Sequence, residues 1–124
     1  MVLYSEMMCL PYRCSIPHSG EWTAVAVSPN LEVGLGVAMA KAYFSDAEYL
    51  KIMDSPTKES AFYTIWTLKE AYAKAKQKGL WDVLSSCVEL EVDGLHSKQV
   101  RMSGVYLTCV TEECNDIEFK IVDL

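Results

Sequence analysis

The stretch from Ala61 to Leu80, Ala-Phe-Tyr-Thr-Ile-Trp-Thr-Leu-Lys-Glu-Ala-Tyr-Ala-Lys-Ala-Lys-Gln-Lys-Gly-Leu, decides the fold. Alanine, leucine, lysine, glutamate and glutamine dominate it, and no proline interrupts it, so the backbone is biased to helix throughout. Thr57, followed by Lys58-Glu59-Ser60 and preceded by Pro56, is a helix-start signal. Gly79 reads as the left-handed residue that stops the helix, and Lys74, Lys76 and Lys78 suit the negative end of its dipole. Ala61, Ile65, Leu68, Tyr72 and Ala75 recur at three- and four-residue steps and form an apolar stripe. The expectation is an amphipathic helix over 57–78, packed across a sheet.

The flanking sequence supplies that sheet. Trp22-Thr-Ala-Val-Ala-Val-Ser28 has the composition of a buried strand, and Pro29-Asn30 turns the chain. Leu31 to Val37 reads as a second strand, in which Gly34 and Gly36 mark a bulge or a close backbone approach. Ser45 and Glu48 stand at capping-box spacing and start a short helix running to about Met53. Trp81 to Ser86 is a connector. Val88 to Val92 alternates as a half-exposed strand, followed by the Asp93-Gly94 turn. Residues 95–102, 105–111 and 117–122 complete an antiparallel sheet. No repeat or linker divides the chain, and 1–124 is read as a single domain.

Composition limits the function classes. The chain has 124 residues, is 51% hydrophobic and 23% charged, and carries a net charge of −6. Such an acidic surface argues against nucleic-acid binding, which needs a basic footprint. No apolar run is long enough to span a bilayer, since Pro29, Asn30 and Glu32 break the longest one. The first ten residues contain Glu6 and no basic residue, unlike a signal peptide. The expectation is a cytoplasmic protein. Cys9, Cys14, Cys87, Cys109 and Cys114 then read as reduced thiols. The Cys9/Cys14 pair flanks Leu10-Pro11 without a knuckle glycine, which disfavours zinc.

Trp66-Thr-Leu-Lys69-Glu70-Ala71, then Lys74 and Lys78-Gly79-Leu80, resembles the signature helix of the 4'-phosphopantetheinyl transferases. The similarity is to the surfactin-type branch, which modifies acyl and peptidyl carrier proteins. Taken alone, Glu70 and Lys74 are equally an ordinary i,i+4 ion pair, contributing about 0.3–0.5 kcal/mol. The resemblance extends to His18-Ser19-Gly20, which matches three positions of the family's Ser-His-Ser-Gly turn, with Pro17 at the first. It extends also to Lys41-Ala-Tyr-Phe-Ser45-Asp-Ala-Glu48-Tyr49. The fold it implies is α+β: a phosphopantetheinyl transferase-like lobe, with an antiparallel sheet packed by one long helix and a short one.

The resemblance implies transfer of phosphopantetheine from coenzyme A to a carrier-protein serine, with magnesium at the pyrophosphate. Glu70 would be metal ligand and candidate base, and Lys74 would assist the leaving group. His18, Ser19, Lys69 and Lys78 would contact coenzyme A. One element departs from the pattern. The family's Gly-hydrophobic-Asp-hydrophobic-Glu strand aligns with Gly34-Leu35-Gly36-Val37-Ala38, so both metal-binding acids are replaced, by Gly36 and Ala38. Magnesium binding is therefore expected to be weak or lost. Surfactin-type enzymes are pseudo-dimers of two lobes, and the resemblance, from about Ser15 to Leu80, covers about the second lobe plus the strand before it. Three readings follow. The chain is a degenerate lobe retaining coenzyme A or carrier-protein binding, an active transferase whose cleft is completed by homo-oligomerisation, or a non-catalytic interaction protein.

Overall fold

In the computed structural model, the described residues are 3–4, 13–16, 22–29, 31–88, 90, 94–102, 104–112 and 121–122. Six strands and four helices are found among them. In chain order they are β1 (Leu3–Tyr4), β2 (Arg13–Ile16), β3 (Trp22–Val27), α1 (Val33–Tyr43), α2 (Asp46–Asp54), α3 (Lys58–Ala75), α4 (Leu80–Val83), β4 (His96–Met102), β5 (Val105–Thr111) and β6 (Ile121–Val122). β2, β3, β5 and β4 form an antiparallel sheet in that order, and β1 pairs separately with β6 in parallel. The α+β class and the helix-across-sheet packing agree with the sequence reading.

Register fixes what each face of the sheet carries. Val25 lies opposite Thr108, Val27 opposite Tyr106, and Gln99 opposite Thr108. These residues share one face because side chains alternate along a strand, and α3 packs on it across β3 and β5. The other face carries Ala24, Ala26, Leu107 and Cys109, all buried. Burial pushes the Cys109 thiol up to about 11. Met102 pairs with Val105, and Gly104 takes a positive φ of 75° in the turn between them, which glycine adopts without steric cost.

The junction of α3 with the sheet is polar where a helix of this amphipathicity would be expected to bury only hydrocarbon. The Thr67 hydroxyl donates to the Tyr63 carbonyl (2.8 Å) and lies 2.7 Å from the Thr108 hydroxyl. Gln99 Nε2 donates to Thr108 Oγ1 (3.0 Å) and to the Thr64 carbonyl (2.7 Å). Each hydroxyl has one proton, so the order is set: Gln99 gives to Thr108, Thr108 to Thr67, and Thr67 to the backbone. Thr67 and Thr108 are no more than 1% exposed, and this chain of bonds keeps their burial from being costly. Below it, Tyr63 stacks on Tyr106 at 5.1 Å and its hydroxyl accepts the Leu31 N–H.

Beside the parallel pairing of 121–122 with β1, which takes that end of the 117–122 strand out of the antiparallel sheet expected of it, three expectations are corrected. Residues 33–43 are helix, not the strand expected over 31–37. Gly36 and Ala40 are buried while Gly34, Leu35 and Ala38 are exposed, a four-residue rhythm rather than alternation. The run Ala38-Met-Ala-Lys-Ala42 consists of strong helix formers, and it propagates the helix back across two glycines that each disfavour it by about 1 kcal/mol. The second correction concerns the end of α3. Its left-handed residue is Gln77 (φ 54°), not Gly79, which has φ −68° and leads into α4. The Lys78 N–H donates to the Ala73 carbonyl (2.8 Å) and the Gln77 N–H to the Lys74 carbonyl (3.1 Å), the crossed pair that closes a helix. The third concerns 88–92. Val88 and Leu90 are not in a strand, and the rest of that segment lies outside the described residues.

The expected apolar stripe is also shallower than its neighbours. Ala61, Ile65, Leu68, Tyr72 and Ala75 are half-buried, while Phe62, Tyr63, Thr67, Lys69, Glu70, Ala71 and Ala73 are buried. α3 is enclosed from two sides, by the sheet and by α1 and α2, so a one-sided pattern describes it poorly. The short helix agrees with the sequence. Ser45 and Glu48 form the capping box at the start of α2.

Candidate functional site

The residues singled out on α3 fall into two sets with opposite surroundings. Lys69 is 0% exposed. Its ammonium donates to Glu48 Oε1 (2.8 Å), the Ser86 carbonyl (2.7 Å) and the Val83 carbonyl (3.2 Å), and lies over the Phe44 ring at 5.1 Å. Three protons meet three acceptors, so the charge is fully accounted for inside the protein. Glu48 in turn accepts from the Ser45 N–H (3.2 Å) and hydroxyl (2.9 Å). The Ser45 proton is thereby committed, and the Cys87 thiol, 3.1 Å away, is the donor to Ser45 Oγ. This network binds α3 to the start of α2 and to the segment after α4. The ammonium of Lys69, the residue expected as a coenzyme A contact, meets these three acceptors inside the protein.

Glu70 is 4% exposed, with Oε1 closed off from solvent. Lys74, one turn on, is exposed, as is Lys78 beyond the helix end. The i,i+4 spacing places Glu70 and Lys74 on one side of α3, but only the lysine reaches water. Lys74 and Lys78 lie at the negative end of the helix dipole, where cations are favoured whether or not an anion binds. His18 and Ser19 lie outside the described residues.

The donor set can be tested against magnesium. The described residues contain no group of three His, Cys, Asp or Glu side chains placed to hold a metal ion. Gly36 and Ala38 offer no ligand atoms, Glu48 is committed to Lys69 and Ser45, and Glu70 is enclosed. Magnesium requires oxygen ligands in near-octahedral array, usually with one or two carboxylates and several waters. The described residues do not fit it.

Open volume lies elsewhere along the helix. A cavity of about 150 Å³ is bounded by Ser60, Thr64, Thr67, Gln99, Tyr106 and Thr108. Beside it, a shallower cleft of about 450 Å³ is lined by Val33, Thr57, Lys58, Glu59, Arg101 and Tyr106. At their junction the Tyr106 hydroxyl donates to Glu59 (3.3 Å), and Arg101 lies over the Tyr106 ring at 4.8 Å. Both sit against the first half of α3, two turns or more from Lys74. Neither is lined by Lys69, Glu70, Lys74 or Lys78. Sequence patterning did not single out this cleft, because Arg101 and Lys58 become neighbours only when β4 lies beside α3.

Comparison with known proteins bears on the same residues. A family model described as the 4'-phosphopantetheinyl transferase superfamily matches residues 25–121, well beyond the Ser15–Leu80 span of the motif resemblance at its C-terminal end. The chain is 32% identical over 94 residues to 4'-phosphopantetheinyl transferase psf-1 of Bacillus pumilus, covering 67% of this chain and 40% of that protein. It is 32% identical over 82 residues to 4'-phosphopantetheinyl transferase gsp of Aneurinibacillus migulanus, covering 58% of this chain and 34% of that protein. It is 32% identical over 91 residues to 4'-phosphopantetheinyl transferase Sfp of Bacillus subtilis (strain 168), covering 64% and 40% respectively. The chain thus spans about two fifths of the length of these relatives or less. No helix among the described residues is long and apolar enough to cross a membrane. With the family match running through β3, the helical layer, β4 and β5, the chain belongs to the 4'-phosphopantetheinyl transferase superfamily.

Proposed function

We propose that this chain is a transferase-type lobe that does not itself transfer phosphopantetheine and that retains a binding role toward coenzyme A or a carrier protein. The observation that carries this reading is the fate of the signature helix. Its sequence keeps lysine, glutamate and the second lysine, while its buried half is given over to packing: Lys69 is spent on Glu48 and two carbonyls, and Glu70 is enclosed. Transfer to a serine hydroxyl needs charge neutralised at the pyrophosphate and a base at the hydroxyl. A metal clamp supplies several kcal/mol of that stabilisation, at about tenfold in rate for each 1.4 kcal/mol. The described residues hold no set of ligands for one. Lys74 and Lys78, exposed past the buried turn, are the groups left to meet phosphate.

A second reading has its own support. Glu70 and Lys74 are both present at the family's spacing, and the chain spans about two fifths of its relatives or less. A homo-oligomer could therefore rebuild a cleft between copies and act as a magnesium-dependent transferase in the cytoplasm. The net charge of −6 works against both readings alike, because coenzyme A and acidic carrier proteins are both anionic. The third reading, a non-catalytic interaction protein, predicts that neither is bound. Titration calorimetry with coenzyme A, with and without magnesium, separates the third reading from the first two. Intact-mass analysis of an apo carrier protein after incubation with coenzyme A separates the first two from each other.

A further inference from the structure

We infer that Gly36 is a packing seat for the Phe62 ring and not a vacated ligand position, so that acids placed at 36 and 38 will not build a divalent-cation site. The inference rests on the family reading for the identity of those two positions; the geometry is this chain's own.

Two carboxylates at i and i+2 converge on one ion only when the backbone is extended, because side chains two apart share a face of a strand. Residues 33–43 are helical here, and on a helix positions 36 and 38 point about 200° apart. Their burial reports this directly: Gly36 is buried and Ala38 is exposed. Acids at the two positions would face the interior and the solvent respectively.

The space at Gly36 is also taken. A Cβ on Gly36 would lie 3.3 Å from Phe62 Cγ, 3.4 Å from Cδ2 and 3.5 Å from Cδ1. The ring would have to give by a few tenths of an ångström, and Phe62, 2% exposed, is hemmed in by other rings. It lies nearly parallel to Phe44 (5.6 Å) and Trp66 (6.0 Å), and edge-on to Tyr63 (5.1 Å). A carboxylate entering here would be stripped of water against aromatic faces that carry partial negative charge. Nor would it meet Glu70. Phe62 and Glu70 are eight residues apart on α3, about 12 Å along the axis, whereas two oxygens on one magnesium ion lie within about 4 Å of each other. By contrast, a Cβ on Gly34 meets nothing within 4 Å, so the two glycines of α1 do different jobs.

The difference is the test. Glycine to alanine inside a helix ordinarily raises stability. Gly34→Ala is expected to raise Tm, and Gly36→Ala to lower it by several degrees despite the same gain in helix propensity. A Gly36→Ala protein at or above wild-type Tm would overturn the packing seat. Mn²⁺ titration followed by electron paramagnetic resonance covers the metal half. The Gly36→Asp/Ala38→Glu protein is expected to melt lower than wild type and to gain no Mn²⁺ site. A double variant with wild-type Tm and a new micromolar Mn²⁺ site would overturn the inference. If that variant does not fold, the Gly34→Ala and Gly36→Ala pair still decides the packing claim. Carrier-protein modification by the wild type would overturn the functional reading instead, and it would leave the contrast between the two alanine variants unchanged.

Discussion

α1 and α3 pack against each other, yet they stand in opposite relation to the family pattern. α3 keeps the pattern's residues, and one of them is engaged inside the protein: Lys69 ties three segments together through Glu48, Val83 and Ser86. α1, where the motif places the pattern's acids on a strand, is helical and carries Gly36 and Ala38 there instead, and Gly36 offers Phe62 a flat place to pack. Retaining a motif in sequence is therefore no guarantee that its side chains remain available. Conversely, a lost ligand is not simply a gap that a substitution can refill. What decides both cases is burial: a charge that must be satisfied on one helix, and a ring that must be accommodated on the other.

The largest expected effect breaks the engaged half of this comparison. Lys69→Ala leaves Glu48 buried without its cation, and losing one partner of a buried pair typically costs about 3–5 kcal/mol. Urea unfolding should show that loss, and Glu48→Gln should recover part of it in the Lys69→Ala background. If Lys69→Ala unfolded at the wild-type midpoint while abolishing coenzyme A binding, Lys69 would be a ligand contact after all.

Next comes the polar junction that holds α3 on the sheet. Thr108→Val removes the middle of the hydroxyl chain and takes from Gln99 one of its two donated bonds, at a cost of about 1–3 kcal/mol. A smaller effect, of opposite sign, sharpens the contrast at the end of α3. Gln77 holds a left-handed conformation that costs an ordinary residue about 1 kcal/mol, so Gln77→Gly should raise stability by about that much in the same unfolding assay.

The smallest effect at neutral pH lies outside the helix pair. Burial raises the Cys109 thiol from 9.0 to about 11. The unfolded chain therefore releases this proton first, and stability that is present in full below pH 9 is lost as pH rises toward 11. Cys109→Ala should flatten that alkaline decline, read as Tm against pH.

How much of this could be read from the sequence follows from which interactions are local. The existence of α3, the capping box at Ser45 and Glu48, the 105–111 strand and the strand before it all rest on propensity and short-range pattern, and the structure agrees with each. The 33–43 helix was missed because two glycines among branched residues resemble an interrupted strand; the helix-forming run that decides it begins at Ala38. The buried tie at Lys69 was hidden for a different reason. Through the motif Lys69 reads as a coenzyme A contact, and nothing local shows that Glu48 and two carbonyls from residues 83 and 86 will close around it. Glu48 itself read as a cap alone, and the cap is only half of what it does. The cleft between Lys58 and Arg101 had no local signal at all, since it is created by β4 docking beside α3.

The most direct measurement is the intact mass of an apo carrier protein incubated with coenzyme A, magnesium and this chain, with a Glu70→Gln control and an active transferase as reference. A lobe that does not catalyse transfer leaves the carrier mass unchanged with the wild type and with Glu70→Gln alike, while the reference enzyme adds phosphopantetheine. A carrier modified by the wild type and left untouched by Glu70→Gln would contradict the non-catalytic reading and assign Glu70 to the reaction.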